Sequence, residues 1–427
     1  MKIAIIGAGF TGLASAYELT KQGHDVTIFE KDAQPGGLAV GYKEKDWEWT
    51  LEKHYHHFFT NDHSILNLAK EINHPIITKT PETNWYVNGK IYKFVSLKAA
   101  LTFPLLTLLE RLRQLIILGL LRINPFWRPL EKLKTNEIMT KLMGVKIYNI
   151  LWKSILVNKF GKYADDISLA WFWARIKKRT QALSYPKGGF LEFANHIANE
   201  IKKNNGEIYF NSETINLEQK NNQVEVKIKI NNQVSILNFD KVIVTLPSFL
   251  FIKITPTLPE TYTEKLKKLK GLGATNLILR LNASFFKDNT YWLSIADINS
   301  PIMAIVEHTN FMDKKYYNNE TIVYLGNYLE NSSIDFTKNK EELLEKYDPF
   351  LKKINPNYKD HLIDYELFKA PFAQPIIPIN YSKIIPDFKT PFSHIYLANI
   401  EQVYPWDRGT NYAVELGQKI AKIILEN

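Results

Sequence analysis

The sequence predicts an α/β protein that opens with a strand–helix–strand unit. Three segments support this fold class: an apolar run from Lys2 to Ile6, a helix-forming stretch from Leu13 to Gln22, and a second apolar run from Val26 to Phe29. Short apolar runs are typical of parallel strands buried on both faces, and parallel neighbours need a crossover between them. We therefore expect a parallel sheet at the start of the 427-residue chain, which is long enough for two or three domains.

A glycine-rich turn, Gly7-Ala8-Gly9-Phe10-Thr11-Gly12, joins the first strand to the helix. Gly7 permits the tight turn, Gly9 lets a pyrophosphate approach the backbone, and Gly12 lets the helix pack closely on the strand. The helix N-terminus offers free N–H groups and the positive end of its dipole to phosphates. Glu30, at the tip of the second strand, is placed to bind the ribose hydroxyls. This Rossmann-type unit predicts a dinucleotide site formed by Gly7, Gly9, Phe10, Thr11, Gly12, Glu30 and Lys31.

A second glycine loop follows six residues after Glu30, where Pro35 precedes Gly36 and Gly37. A glycine pair at this distance resembles the extension found in FAD-binding members of the glutathione-reductase-like superfamily, in which this loop also passes close to the cofactor. Leu38 stands where many amine oxidases have arginine. The resemblance implies FAD as the cofactor and places Gly36, Gly37 and Leu38 beside it.

Later segments follow the same superfamily. Residues 206–211 and Thr214 resemble the strand and turn that cover the adenine, and residues 240–247 resemble the returning strand. Residues 395–399 and 409–414 resemble the closing strand-to-helix element, which ends on the flavin and its ribityl chain. The resemblance implies an adenine contact for Thr214 and a ribityl contact for Asn399, which replaces the usual acid. It also implies contacts from Gly409, Thr410, Asn411 and Tyr412.

Nearly the whole chain is similar to FAD-dependent oxidoreductases of the protoporphyrinogen oxidase and flavin amine oxidase group. Part of it also resembles UDP-galactopyranose mutase. The shared block comprises Lys159-Phe160-Gly161, Ile167-Ser168, Trp171, Ala174-Arg175-Ile176, Arg179 and Tyr185-Pro186-Lys187-Gly188-Gly189-Phe190. The resemblance implies a discontinuous glutathione-reductase-like Rossmann domain for FAD, assembled from residues 1–80, 186–250 and 366–427. It also implies an inserted mixed substrate domain, with a helical part at 81–185 and a β-layer at 251–365.

Histidines supply the candidate catalytic residues. Four of the ten histidines lie between His54 and His63, after the glycine pair. In the resembling families this stretch returns to the flavin, so His56 or His57 is expected to contact the ring system or to hold a substrate oxygen. A metal site or a plain strand with alternating histidines is the alternative. His308, at the end of the apolar run from Ile302 to Val306, is a third candidate, with a structural role as its alternative.

Substrate contacts are expected from Arg175, Arg179 and Tyr404. The two arginines are four residues apart on a predicted helix and therefore share a face, where they can clamp a diphosphate or a carboxylate. Tyr404 flanks the closing element and is expected to line a pocket beside the flavin. We expect hydride transfer between flavin N5 and an apolar substrate, such as a polyisoprenoid, a porphyrinogen-like ring or an amine. The alternative is mutase-like chemistry on a sugar nucleotide without net redox.

Composition excludes several other classes. The chain has no cysteine, so disulfides, thiolate metal sites and a cysteine nucleophile are ruled out. The net charge is +10, but the excess is spread along the chain, and no nucleic-acid-binding motif accompanies it. We expect a small-molecule substrate, no resident metal and no nucleic-acid partner. The sequence does not predict the oligomeric state.

An apolar stretch from Leu97 to Ile123 raises the question of a membrane. Its longest uninterrupted apolar run, Leu115 to Leu121, is far shorter than the roughly 20 residues that a spanning helix needs. Leucines and isoleucines recur at helical spacing, which favours an amphipathic helix packed on the core or, alternatively, lying on a membrane surface. The start of the chain shows no signal peptide. We therefore expect a cytoplasmic protein with a peripheral membrane contact as one alternative.

Overall fold

The computed structural model describes residues 1–93, 96–231 and 233–426. The strands in these ranges are β1 (Lys2–Ile6), β2 (Asp25–Phe29), β3 (Gly41–Tyr42), β4 (Leu51–Glu52), β5 (Phe58–Phe59), β6 (Ile76–Lys79), β7 (Glu82–Val87), β8 (Lys90–Lys93), β9 (Leu183–Pro186), β10 (Glu207–Tyr209), β11 (Ser212–Lys220), β12 (Gln223–Ile230), β13 (Gln233–Phe239), β14 (Lys241–Val244), β15 (Gly271–Leu281), β16 (Thr290–Ile295), β17 (Ala304–Glu307), β18 (Thr321–Leu329), β19 (Leu362–Pro375) and β20 (Ile395–Leu397).

The helices are α1 (Phe10–Lys21), α2 (His63–Glu71), α3 (Leu97–Leu101), α4 (Leu108–Ile123), α5 (Thr135–Met143), α6 (Val145–Ile147), α7 (Lys153–Phe160), α8 (Leu169–Lys178), α9 (Phe190–Lys203), α10 (Ser248–Ile254), α11 (Glu260–Lys267), α12 (Ile334–Thr337), α13 (Lys340–Ile354) and α14 (Thr410–Leu425).

A parallel sheet in the order β10-β2-β1-β14-β20 confirms the predicted α/β fold class. Its central strands are buried, as their apolar sequences require. Helix α1 follows β1 and packs closely on it, because a Cβ built on Gly12 would lie 2.0 Å from the carbonyl oxygen of Gly7. The carboxyl ends of β1, β2 and β20 meet at one edge of the sheet, which is where ligands bind in open α/β folds.

A three-stranded antiparallel sheet, β11-β12-β13, begins beside the end of β2. The N–H of Ser212 donates to the carbonyl oxygen of Glu30 at 2.8 Å, and the N–H of Asn211 donates to that of Asp32 at 3.1 Å. The pairing of β11 with β12 shifts register between Thr214 and Asn216. These bonds place Thr214 near the predicted nucleotide site.

A seven-stranded sheet in the order β19-β15-β18-β17-β16-β7-β8 forms the second layer. It differs from the predicted domain limits in two places. Strands β7 and β8 lie in the segment expected to be helical, but β7 pairs in parallel with β16 and completes the sheet. Strand β19 crosses the predicted limit at residue 366, because it pairs with β15 from Leu362 to Pro375.

Helices α3 to α8 form the helical part between β8 and β9. The predicted apolar helix is broken after Leu101, and α4 restarts at a capping box in which the Thr107 hydroxyl accepts the Glu110 N–H and the Glu110 carboxylate accepts the Thr107 N–H. Within the described ranges, no helix is both long and apolar enough to cross a bilayer. The apolar stripe of α4 is exposed, so its interpretation as core is wrong.

Candidate active site

The two glycine loops meet at the carboxyl edge of the parallel sheet. The N–H of Gly36 donates to the carbonyl oxygen of Ala8 at 2.9 Å, and a Cβ on Gly37 would lie 3.1 Å from the Cα of Gly9. Gly36 has a φ of 124°, which strains any residue with a side chain. Gly9 is the N-cap residue of α1. As a glycine it has no side chain that could accept a hydrogen bond from the N–H groups of the first turn. The N–H groups of the first turn are thus available to a pyrophosphate.

The carboxylate of Glu30 is buried and oriented by backbone donors. It accepts the N–H of Ala8 at 2.7 Å and that of Asp32 at 2.9 Å, which leaves further lone pairs for ribose hydroxyls. Burial raises the pKa of Glu30, and the two N–H groups act against that rise. The buried hydroxyl of Thr214 has no hydrogen-bond partner among the residues described. An oriented carboxylate, an unused buried hydroxyl and a glycine cradle fit the adenosine diphosphate half of FAD.

The start of helix α14 supplies a second helix N-terminus at the same edge. Gly409 precedes the helix, and Thr410, Asn411 and Tyr412 follow in its first turn, lining a cleft that residues of β16 and β17 also line. Asn411 is held in place because its side-chain oxygen accepts the N–H of Ile65 at 3.2 Å. Leu38, from the second glycine loop, lines a smaller adjoining cavity. These groups would hold the flavin half of FAD.

Asn399 does not take the predicted ribityl role. Its side chain is 1% exposed, and its amide donates to Leu246, Ser248 and Glu401, while its oxygen accepts the Glu401 N–H. With its hydrogen-bonding capacity used inside the protein, Asn399 stabilises the turn after β20.

The cleft holds about 230 Å³ of free volume and brings several predicted residues together. His56, His57, Arg175 and Arg179 line it together with the first turn of α14. They come from the loop after β4 and from helix α8, which are far apart in the chain. This convergence is the geometry expected of an active site between a cofactor domain and a substrate domain.

Buried Glu52 positions the histidine loop. Its carboxylate accepts the hydroxyl of Tyr185 and the N–H of Phe190 at 2.8 Å, and its carbonyl oxygen accepts the hydroxyl of Tyr324 at 2.7 Å. Burial raises the pKa of Glu52 to about 7. Because these bonds tie β4 to three other elements, they orient His54–His57, the four residues that follow Glu52 and Lys53.

Both cleft histidines are neutral at physiological pH, because burial lowers the pKa of His56 to about 4 and that of His57 to about 3. The Nδ1 of His56 faces the carbonyl oxygen of His54, which only accepts, so Nδ1 carries the proton and Nε2 is left as an acceptor. The Nδ1 of His57 lies 3.2 Å from the hydroxyl of Tyr291. With pKa values this low, both imidazoles are weak bases, and in this position they are suited to orient a substrate oxygen through hydrogen bonds.

The opposite wall of the cleft is cationic. Lys159, Arg175, Lys178, Arg179 and Arg408 line it, against the carboxylates of Asp62 and Asp407. Asp407 accepts from Arg175 at 3.2 Å and from the indole of Trp171 at 2.9 Å, and it lies 3.5 Å from Lys159. Although burial acts to raise it, Lys159 and Arg175 hold the pKa of Asp407 below its usual value. Positive charge therefore exceeds negative charge in the cleft.

Lys159 is the most buried of these cations. Its side chain is 8% exposed, and burial lowers the pKa of its ammonium to about 7, with Asp407 opposing that shift. The ammonium also lies over the rings of Trp171 and Tyr328, at 5.4 and 5.3 Å from their centroids. Lys159 therefore changes its charge near neutral pH.

Of the residues predicted for catalysis or substrate binding, His308 and Tyr404 lie outside the cleft. His308 is 3% exposed, its Nε2 bonds the Tyr317 hydroxyl at 2.8 Å, and its ring packs on Tyr185 and Tyr324. The expected catalytic role of His308 is thus replaced by a structural one. Tyr404 donates to the carboxylate of Glu131 at 3.1 Å and packs against helical-part residues, so it braces the loop before α14.

Sequence reasoning did not assign roles to Lys159, Lys178, Asp407 and Arg408. Lys159 and Lys178 lie in or beside the shared block, and Asp407 and Arg408 directly precede the closing helix. Asp407 and Arg408 follow Trp406 just before the closing helix, and charged residues in such a place are a signal in the sequence for a functional site. Their convergence, however, depends on the packing of α7 and α8 against that loop, which the sequence pattern does not reveal.

These features define an FAD-dependent oxidoreductase with a Rossmann-type cofactor domain and a cleft lined by histidines and arginines. The family model for flavin-containing amine oxidoreductases matches residues 10–425, and the chain belongs to that family. FAD is therefore its cofactor.

A local match links the chain to a 4,4'-diapophytoene desaturase of Staphylococcus aureus, which is 65% identical over 51 residues. That match covers 12% of this chain and 10% of the desaturase, so the chain spans about a tenth of the length of this curated relative. It therefore leaves the activity of the whole protein open.

Solved structures share the fold over the whole chain. A candidate protoporphyrinogen oxidase from Exiguobacterium sp. 255-15 aligns with a TM-score of 0.78 at 15% identity, covering all of this chain and 99% of that one. Reduced UDP-galactopyranose mutase aligns with a TM-score of 0.78 at 17% identity, covering all of this chain and 95% of that one. At these identities the likeness concerns the fold.

Proposed function

We propose that this FAD-dependent oxidoreductase acts on a substrate that carries a phosphate or diphosphate group. The observation behind the proposal is the cationic wall of the cleft, in which Lys159, Arg175 and Arg179 face the same space as His56 and His57. Guanidinium groups bind phosphate oxygens through paired N–H donors. Lys159 and Arg175 share the carboxylate of Asp407, and the five cations of this wall outnumber its two carboxylates, so a phosphate would supply negative charge that a neutral hydrocarbon cannot.

The arginines and the histidines of the cleft serve different steps, anion binding and substrate orientation. Arg175 and Arg179 are one helical turn apart on α8 and its C-terminal end, so they present two guanidiniums to the same anion. The neutral Nε2 of His56 and the ring of His57 line the same cleft and, as weak bases, are suited to accept a hydrogen bond from a substrate hydroxyl and so orient it. FAD, when bound, supplies hydride exchange with a substrate carbon.

A sugar nucleotide is one substrate that meets this description, as in the mutase whose structure is similar to this fold. An apolar substrate is the second candidate. It is favoured by the rings of Tyr55, Tyr291 and Trp292, which line the same cleft, and by the local similarity to a desaturase.

Binding to the FAD-loaded protein tests the proposal. We expect UDP-galactose or UDP to perturb the flavin absorbance, in the oxidised or the dithionite-reduced protein, with an affinity that weakens as salt is added. The same titration with a neutral polyisoprenoid alcohol serves as the comparison. Anaerobic bleaching of the flavin by the neutral compound, without any response to the diphosphates, would reject the proposal and favour the second candidate.

Anion binding should weaken as the pH rises. Lys159 has a pKa of about 7 and loses its positive charge as the pH rises above that value. Burial raises the pKa of Asp62 to about 6, so Asp62 becomes negative as the pH rises above 6. Both changes remove net positive charge from the cleft, so we expect UDP-galactose affinity to fall roughly tenfold between about pH 6 and pH 8. Isothermal titration calorimetry at several pH values measures this change in affinity. In Lys159→Arg the upper part of this decline should disappear, because arginine keeps its charge; an unchanged profile would exclude Lys159 as its source.

The cytoplasmic location and the peripheral membrane contact remain predictions. Both are compatible with a phosphorylated substrate, since such compounds are found in solution and as lipid head groups.

A further inference from the structure

Helix α4 carries an apolar face that the rest of the protein leaves uncovered. With 3.6 residues per turn, its exposed leucines and isoleucines fall within an arc of about 120° along a length of about 24 Å. Their exposed fractions range from 41% to 80%. The residues of this arc are Leu108, Leu109, Leu112, Ile116, Leu120 and Ile123. Gln114, Ile117 and Leu121 form the buried side of the helix. A contiguous exposed apolar surface of this kind marks an interaction site.

Arginines flank the arc on both sides. Arg113 borders one edge, and Arg111 and Arg122 border the other. Each side chain is anchored by donating to backbone carbonyls: Arg111 to Phe103 at 2.8 Å, Arg113 to Leu142, and Arg122 to Arg179 at 3.2 Å. A guanidinium has five N–H donors, so each retains donors for a phosphate at the surface. An apolar stripe between two rows of arginine is the pattern of a helix that lies in a membrane interface.

Charge favours an anionic bilayer over a second copy of the chain. The protein has a net charge of +10, and two copies meeting at α4 would bring arginine rows together. Anionic lipid, in contrast, attracts such residues to its surface. The acidic residue of the helix, Glu110, is turned to the protein side, where it caps α4 and binds Lys146.

The carboxyl end of α4 is joined to the rim of the active-site cleft. Arg122 donates to the carbonyls of Ile176 and Arg179, and Lys177 donates back to the carbonyls of Arg122 and Asn124 at 3.1 and 3.0 Å. Arg179 is both part of this junction and a lining residue of the cationic wall. A surface that α4 rests on would therefore meet the cleft at its cationic side.

We propose that the exposed face of α4 docks the protein on an anionic membrane, so that the cleft receives the phosphate head of a lipid and the adjoining part of its hydrocarbon chain, while the rest of the chain stays in the bilayer. The docking rests on α4 alone, and the choice of a lipid substrate rests on the proposed function. The substrate class is then an amphiphile with a phosphate or diphosphate head. This reconciles the cationic wall with the aromatic lining, because one molecule carries both an anionic and an apolar part.

Vesicle flotation with the FAD-loaded protein tests the docking. We expect the protein to float with vesicles of phosphatidylglycerol and phosphatidylcholine in equal parts, and the floating fraction to fall as salt rises. Leu109→Glu/Ile116→Glu, which changes two exposed residues of the arc, should lower the bound fraction roughly tenfold or more. Ile236→Glu/Ile334→Glu changes two exposed isoleucines elsewhere and should float like the unaltered protein. Unchanged flotation of the α4 variant, or no flotation of the unaltered protein at low salt, would overturn the docking.

Phosphatidic acid vesicles test the lipid substrate separately. We expect them to perturb the flavin spectrum of the unaltered protein, and we expect Arg175→Gln/Arg179→Gln to float normally without that perturbation. Flotation without any spectral response to phosphatidic acid would reject the lipid head as ligand and leave the docking standing. If the protein responds to UDP-galactose but does not float, the proposed function stands and the membrane proposal fails. A dimer held together by α4 in sedimentation analysis, lost in Leu109→Glu/Ile116→Glu, would assign the face to a second copy instead.

Discussion

Replacing Gly12 by alanine should remove both the FAD and the fold of the cofactor domain. The added Cβ would lie 2.0 Å from the carbonyl oxygen of Gly7 and 3.3 Å from the side chain of Ile5. Neither the β1 backbone nor the start of α1 can move without opening the parallel sheet, so we expect a loss of about 3 kcal/mol or more in the free energy of unfolding. Thermal unfolding and the ratio of flavin to protein absorbance after purification measure the two effects.

Variants at two other glycines distinguish the loss of FAD from the loss of folding stability. A Cβ on Gly9 would meet only the Cα of Gly37, at 3.8 Å, so Gly9→Ala should fold while its methyl group obstructs the space between the loops. We expect roughly tenfold or weaker FAD binding in this variant. Gly119→Ala, in open space on α4, should keep FAD and gain up to about 1 kcal/mol from helix propensity. Full flavin content in Gly12→Ala would contradict the assignment of the cofactor site.

The double variant Arg175→Gln/Arg179→Gln should lose diphosphate binding while retaining FAD. A hydrogen bond to a charged group contributes about 1.5–3 kcal/mol, so removing both guanidiniums should weaken UDP-galactose binding by about 100-fold or more. Asp407 would keep its bonds to Trp171 and Lys159, which limits the structural cost. Calorimetric titration of UDP-galactose into the FAD-loaded variant and into the FAD-loaded unaltered protein measures the difference in affinity.

Lys177→Gln is the matched control for this experiment. Lys177 lies between the two arginines in sequence, but its ammonium bonds the end of α4 and does not line the cleft. We expect it to change UDP-galactose affinity only slightly. If the double variant binds as tightly as Lys177→Gln, the cationic wall is not the anion site.

Local patterns predicted the cofactor half of the molecule well. The spacing of Gly7, Gly9, Gly12 and Glu30 sets short-range geometry, because the turn, the helix start and the strand tip lie within one βαβ unit. Arg175 and Arg179 line the same cleft as expected, although α8 ends at Lys178 and Arg179 is its extended C-cap residue. Features that depend only on neighbours in the chain were thus accessible from the sequence.

Features that depend on long-range packing were not. His308 follows an apolar strand, as many active-site residues do, but the side chains of Tyr185, Tyr317 and Tyr324 from three other elements enclose it. Asn399 sits at the right strand end, yet Glu401 and Ser248 occupy its amide. Strand β7 belongs to the second sheet because it pairs with β16, about 200 residues later in the chain. No local sequence pattern predicts such a pairing.

The parallel sheet also has a consequence for how the protein is made. Its first strand is bonded to a segment 238 positions later, where the N–H of Lys2 donates to Asp240, and its last strand begins only at Ile395. Contacts between such distant parts of a chain form slowly, and the ribosome must release most of the polypeptide before they exist. The nascent chain can pair β1 with β2 early, but β14 and β20 join the sheet only near the end of synthesis, so the edge that holds the flavin is completed late.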